Sequence, residues 1–113
     1  MTLIVLPFPP ASLSGHAKGH WRAKAAVTKQ HREWARLITL AAGPLGVPDT
    51  GDIPIRVRFI PPSNRGDRTN FPNRLKASLD GIAMALGVND SRFLPSYEFC
   101  PPSPKAARVE VIV

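Results

Sequence analysis

The chain predicts an α+β fold: a two-layer sandwich with a mixed sheet of about four strands and two main helices, in the order β-α-β-α-β-β. Three observations predict it. Four strand-like runs stand beside just two helical stretches. The helices sit between strands, so crossovers rather than hairpins join the first part of the sheet. Finally, 113 residues with 43% hydrophobic content form one domain, residues 1–113, with a single core and no internal repeat.

Thr2 to Phe8 opens as a short β-branched run, closed by Pro7, Pro9 and Pro10, and reads as the first strand. Ala11 to Ala26 is polar, carries Gly15, Gly19, His16 and His20, and shows no apolar periodicity, so it reads as a long loop. Thr28 can cap a helix running to about Ala42, with Trp34, Leu37, Ile38 and Ala41 on one side and Gly43-Pro44 as the stop. His31 falls on the polar side of that helix. Ile53 to Ile60 alternates Ile55, Val57 and Phe59 with Arg56 and Arg58, the period of a half-buried strand. Asn70 suits a helix cap and Pro72 the first turn. Phe71, Leu75, Leu79, Ile82 and Leu86 then form the stripe of a second helix that Gly87 ends. Phe93 to Cys100 and Arg108 to Val113 supply the last two strands.

Charge names the class of partner. Fifteen Lys and Arg against eight Asp and Glu give a net charge of +7, an electropositive surface that attracts polyanions, nucleic acid first among them. Between positions 16 and 36 lie Lys18, Arg22, Lys24, Lys29, Arg32 and Arg36, with Glu33 the one acid, interleaved with His16, His20 and Trp21. Arginine forks grip phosphates and aromatic rings stack on exposed bases, so this segment reads as a nucleic-acid contact; its plainer role is a solvated basic face with Trp21 packed as a lid on the core. The two histidines of a glycine-bearing loop, with no cysteine or carboxylate to join them, do not form a zinc set. Cys100 has no partner for an internal disulfide and reads as a small buried hydrophobe. No secretory leader opens the chain, and no apolar stretch approaches the roughly 20 residues that span a bilayer. The expectation is a cytoplasmic protein with no membrane contact. No Walker loop, nucleophile elbow or dinucleotide fingerprint appears.

Three of the scarce carboxylates, Asp67, Asp80 and Asp90, fall in or just after one unit rich in Arg and Lys, Gly66 to Lys76. Hard carboxylate oxygens amid cations are where a divalent metal meets a phosphodiester. The same residues have plainer roles: Asp67 as a capping anion, Asp80 and Asn73 on a solvated helix face, Asn89-Asp90 as turn formers. A helix from Phe71 to Leu86 is about 24 Å long. It separates Asp67 from Asp90 unless the loops fold back, or unless a two-fold dimer pairs antiparallel copies of it.

The ordered set of these features resembles the RusA-like Holliday-junction resolvases, endodeoxyribonucleases common in bacterial prophages. The likeness runs over nearly the whole chain: Leu6-Pro7-Phe8-Pro9-Pro10-Ala11-Ser12, the basic loop, Ile60-Pro61, the Asp67-x-x-Asn70 unit, Leu79-Asp80-Gly81-Ile82 and Gly87-Val88-Asn89-Asp90. It implies a RusA-like fold and a homodimer that binds four-way DNA junctions in recombination and repair and cuts them with magnesium or manganese.

The site residues it implies are Asp67 and Asp90 as metal ligands with Asn70 beside them, and Asp80 would add a carboxylate to the catalytic set if the helix turns it toward the site. Lys18, Arg22, Lys24, Arg65, Arg68 and Lys76 would hold the DNA backbone. Three positions depart from the family pattern: Thr69 stands where a second Asp is expected, Asn73 where a Lys is, and Asn89 where the first Asp of a pair is. Thr69 brings a neutral oxygen instead of a charge, and Asn73 no cation, so Lys76 or Arg74 must serve instead. The alternative expectation is a RusA-fold DNA-binding protein with weak or lost catalysis.

Overall fold

The computed structural model describes residues 2–13 and 21–113. His16, Lys18 and His20 lie outside the described residues. Strand β1 is Leu3–Pro7, β2 Ile53–Ile60, β3 Phe93–Phe99 and β4 Arg108–Ile112, in one sheet of order β1-β4-β2-β3. β4 runs antiparallel to both β1 and β2, while β2 and β3 are parallel, so the sheet is mixed.

Alternation decides which face is covered. Ile4 and Leu6 of β1, Ile53, Ile55, Val57 and Phe59 of β2, and Val109 and Val111 of β4 are buried in one cluster with helical Ala35, Leu75 and Ile82. The other face carries a row of charges across three strands: Arg108 Nε to Glu110 Oε2 at 2.9 Å, Arg58 Nη1 to Glu110 Oε1 at 3.1 Å, and Arg58 Nε to Glu98 Oε2 at 3.1 Å. The architecture is the expected α+β one, with helices on one side of a four-stranded mixed sheet.

Helix α1 is Trp21–Ala41, seven residues longer at its start than the sequence indicated. Ala23, Ala25 and Ala26 with Arg22 and Lys24 are strong helix formers that need no apolar stripe to be helical. Thr28 is consequently no cap: its hydroxyl donates to the Lys24 carbonyl one turn back, at 2.8 Å.

The buried face of α1 also differs. His31, Ala35 and Thr39 are buried, with Ile38 packed beside them, whereas Trp34, Leu37 and Leu40 remain substantially exposed. The cause is a close crossing of the second long helix. A Cβ on its Gly81 would stand 2.1 Å from the Arg32 carbonyl oxygen and 3.0 Å from Ala35 Cβ. Only small side chains fit there, so the bulky ones turn outward. His31 is therefore not on a solvated face; it packs edge-on against Trp34, and burial pushes its pKa down.

The second predicted helix is broken in two. Helix α2 is Phe71–Arg74 and α3 is Lys76–Leu86. Leu75 joins them with φ −89° and ψ −8°, its N–H donating to the Pro72 carbonyl in a tighter 3₁₀ turn. Asn70 makes no side-chain cap bond. Capping falls to Asp67, which accepts from the Thr69 N–H at the head of a 3₁₀ turn, Arg68–Asn70. The stripe itself is as expected: Phe71, Leu75 and Ile82 are buried, Leu79 and Leu86 packed against them.

Candidate active site

Lys76 begins α3, and Asp80 follows one turn later on the same face, the spacing at which side chains meet. The Lys76 ammonium donates to Asp80 Oδ1 at 3.0 Å and also to Asp90 Oδ2. Asp90 reaches this pair because the chain doubles back after α3. Gly87 takes φ +69°, open to glycine but costly to other residues, and its N–H bonds the last helical turn. Asn89 then accepts from the Ser91 N–H at 2.9 Å and caps the 3₁₀ turn Asp90–Arg92. Arg92 Nε ties that turn to the Gly51 carbonyl at 2.9 Å. Asp90 is thus held from both sides.

The electrostatics follow. The ammonium beside Asp90 holds its carboxyl below the ordinary range, and the two carboxylates, Asp90 first, raise the pKa of Lys76. Asp90 and Lys76 are therefore both charged near neutrality. Asp67 stands apart from them. Its Oδ1 accepts from Thr69 Oγ1 at 2.7 Å and from the Thr69 N–H at 3.0 Å, and these bonds lower its pKa. Among the described residues, no three His, Cys, Asp or Glu side chains form a group able to hold a metal.

Two depressions meet at Asp80. One, of about 640 Å³, is lined by Asn73, Arg74, Lys76 and Asp80 together with Thr28 of α1 and Tyr97 of β3. The other, of about 300 Å³, holds Asp80, Asn89 and Asp90. Asp67 and Asp90, expected to be separated by the helix, make no contact with each other: Asp67 bonds Thr69 and Asp90 bonds Lys76. Asp80 and Asp90 come together within one chain through a fold-back, and Lys76, expected to hold DNA backbone, stands between them. Thr28 and Tyr97 were not expected at this site. They arrive from distant elements, and no local pattern announces them.

Arg22, Lys24, Arg65 and Arg68 do not line either depression. The Arg22 guanidinium lies 5.3 Å from the centroid of the exposed Trp21 ring at the start of α1, with Lys24 in the next half-turn. This excludes Trp21 as a lid on the core. Arg68 opens the 3₁₀ turn that Asp67 caps, and Arg65 lies just before Gly66, whose φ is +89°.

Comparison with known proteins adds kinship without a role. No family model matches the chain. It is 36% identical over 97 residues to an uncharacterized protein of Xylella fastidiosa, a match covering 83% of this chain. The matched segment spans 63% of that protein's length. No described helix is long and apolar enough to cross a membrane.

Proposed function

We propose that this chain is a metal-dependent, structure-selective endodeoxyribonuclease that cuts branched DNA, four-way junctions above all, as a homodimer of RusA type. The supporting observation is the convergence of Asp80 and Asp90 on one cation, the Lys76 ammonium, on a chain of net charge +7. Magnesium and manganese take hard oxygens, and magnesium commonly needs only one or two carboxylates plus substrate phosphate and water. Two carboxylates already aimed at a shared positive centre fit that demand.

Asp80 and Asp90 would hold the metal. When bound it supplies charge neutralisation at the scissile phosphate and an acidified water. The protein's own residues do the rest. Lys76 favours the ionised form of Asp90 and pairs with Asp80, and its exposed, flexible stem lets the ammonium swing to a phosphate oxygen, the part Asn73 cannot play. Arg22, Lys24, Arg65 and Arg68 hold the backbone, joined by Lys18. Asp67, with its second carboxylate oxygen free of partners among the described residues, and Asn70 flank the DNA path. A two-fold dimer matches the symmetry of a four-way junction and presents two such sites.

A second reading has its own support. Thr69, standing where the resemblance expects an acid, takes up Asp67 through both its hydroxyl and its N–H. That favours a junction-binding protein without turnover.

Cleavage of a synthetic four-way junction and of matched duplex, with magnesium, manganese or chelator, separates the two. The nuclease reading expects metal-dependent cleavage of the junction only, lowered at least about 100-fold by Asp90→Asn or Asp80→Asn. Tight junction binding with no cleavage in either metal establishes the second reading. Cleavage unaffected by both substitutions would remove the carboxylate pair from the mechanism.

A further inference from the structure

Beside the carboxylate pair lies a depression of different character. It measures about 480 Å³ and shares Arg74 with the cavity that holds Lys76 and Asp80. The Pro7–Ala11 turn and the Pro61–Pro62 step form its walls, Phe71 contributes to the lining, and Arg65 and Arg74 bring its charge.

Arg74 has unmet bonding capacity. Its guanidinium lies 5.0 Å from the Phe71 ring centroid, and its Nε is buried without a hydrogen-bond partner. Neither Arg74 nor Arg65 forms an ion pair among the described residues, and residues 14–20 contain no Asp or Glu that could supply one. A buried donor left unbonded is unfavourable until something completes it. Burial accordingly pushes the Arg74 pKa down, the direction an approaching anion would reverse.

The form of the cavity selects the anion. The Nε and Nη edge of a guanidinium is a fork matched to two oxygens of a phosphate. The rest of the lining is apolar and stiff: five prolines have fixed φ and offer no N–H to compete for the ligand. Flat apolar walls beside paired cations accept the face of a nucleobase, and the volume falls within the roughly 300–1,000 Å³ of small-ligand sites.

We infer that this cavity holds one unstacked nucleotide of a single strand, with its phosphate on Arg65 and Arg74 and its base against the proline walls. The inference rests on the nucleic-acid reading above and adds where an unpaired strand leaves the branch. Because Arg74 borders both cavities, a nucleotide seated here is a near neighbour of the phosphate presented to Asp80 and Asp90.

Binding of a fluorescein-labelled oligothymidylate and of blunt duplex to the full chain, read by anisotropy, tests it with adenosine monophosphate as competitor. Arg74→Gln is expected to weaken oligothymidylate binding about tenfold with the duplex changing less than about twofold, whereas Arg65→Gln, which also removes a backbone contact, is expected to weaken both. Side-chain Nε–Hε NMR signals of the unmodified protein give a measurement independent of any variant's folding. The Arg74 signal should shift as oligothymidylate is added. An oligothymidylate that binds while the Arg74 signal stays fixed overturns the cavity assignment and leaves the nuclease reading intact. Response to adenosine monophosphate alone, with oligothymidylate excluded, overturns the strand assignment in favour of a free nucleotide. Response to oligothymidylate with no affinity for junction or duplex keeps the cavity and sinks the branched-DNA reading.

Discussion

Lys76 is the residue on which the proposed chemistry turns. It pairs with two carboxylates that would otherwise repel each other, and Lys76 and Asp90 shift each other's titration. The sign is definite. Asp90 has a folded pKa below its ordinary 3.8, so its stabilisation is complete above 3.8 and is lost as pH falls through the depressed value. Lys76 has a folded pKa above 10.5, so its share is complete below 10.5 and is lost as pH rises through the raised value. Carbon-detected NMR titration of Asp90 should place its midpoint below 3.8, and Lys76→Gln should move that midpoint upward. Identical midpoints in the two proteins would show that the ion pair does not exist in solution. Lys76→Gln should also reduce junction cleavage, because no other cation is seen between Asp80 and Asp90 among the described residues.

At the scale of elements, the α1–α3 crossing is the least forgiving contact. A methyl group on Gly81 meets backbone, the Arg32 carbonyl, which cannot swing aside as a flexible side chain would. Gly81→Ala is therefore expected to cost about 1–3 kcal/mol by overpacking, read as a lower urea midpoint. A midpoint equal to that of the unmodified protein would mean that the helices lie farther apart than described.

The same crossing explains what the sequence could and could not convey. Strand β2 was legible to the residue, because buried Ile53, Ile55, Val57 and Phe59 alternate with exposed Pro54 and Arg56 and half-buried Arg58, and period alone fixes the face. The start of α1 was not, because Trp21 to Lys24 has helical propensity but no periodic stripe. Its buried side was misjudged because Trp34 and Leu37 are the larger hydrophobes. The space available to them is set by Gly81, some fifty residues away in the chain. The Lys76–Asp80 pair could be read from its spacing. Asp90 joining them could not, since that depends on the direction in which the chain leaves Gly87.

Over the whole molecule, the excess of positive charge governs association. If the six basic positions assigned to the backbone each neutralise a phosphate, affinity for a junction should fall about 10³-fold between roughly 50 and 200 mM salt. Anisotropy titrations across that range check it, and a shallow slope would mean that most of those side chains point away from the DNA. Replacing Arg65 or Arg68 by Gln should lower the slope by about one unit each. Folding is far less sensitive to salt, because the core that joins sheet and helices is apolar.

The row Arg108, Glu110, Arg58 and Glu98 on the helix-free side of the sheet bears on assembly. A bare sheet face is ordinarily open to being covered by another sheet, and a second copy is the nearest candidate. Here a covering layer would have to strip water from Arg58, Arg108 and Glu98, which surround the nearly buried Glu110 across three adjacent strands. The row makes the β4-β2-β3 part of the face costly to cover, while Leu3 and Val5 at its β1 edge are exposed and apolar. The two-fold dimer proposed above is therefore expected to use another part of the surface than the β4-β2-β3 charges.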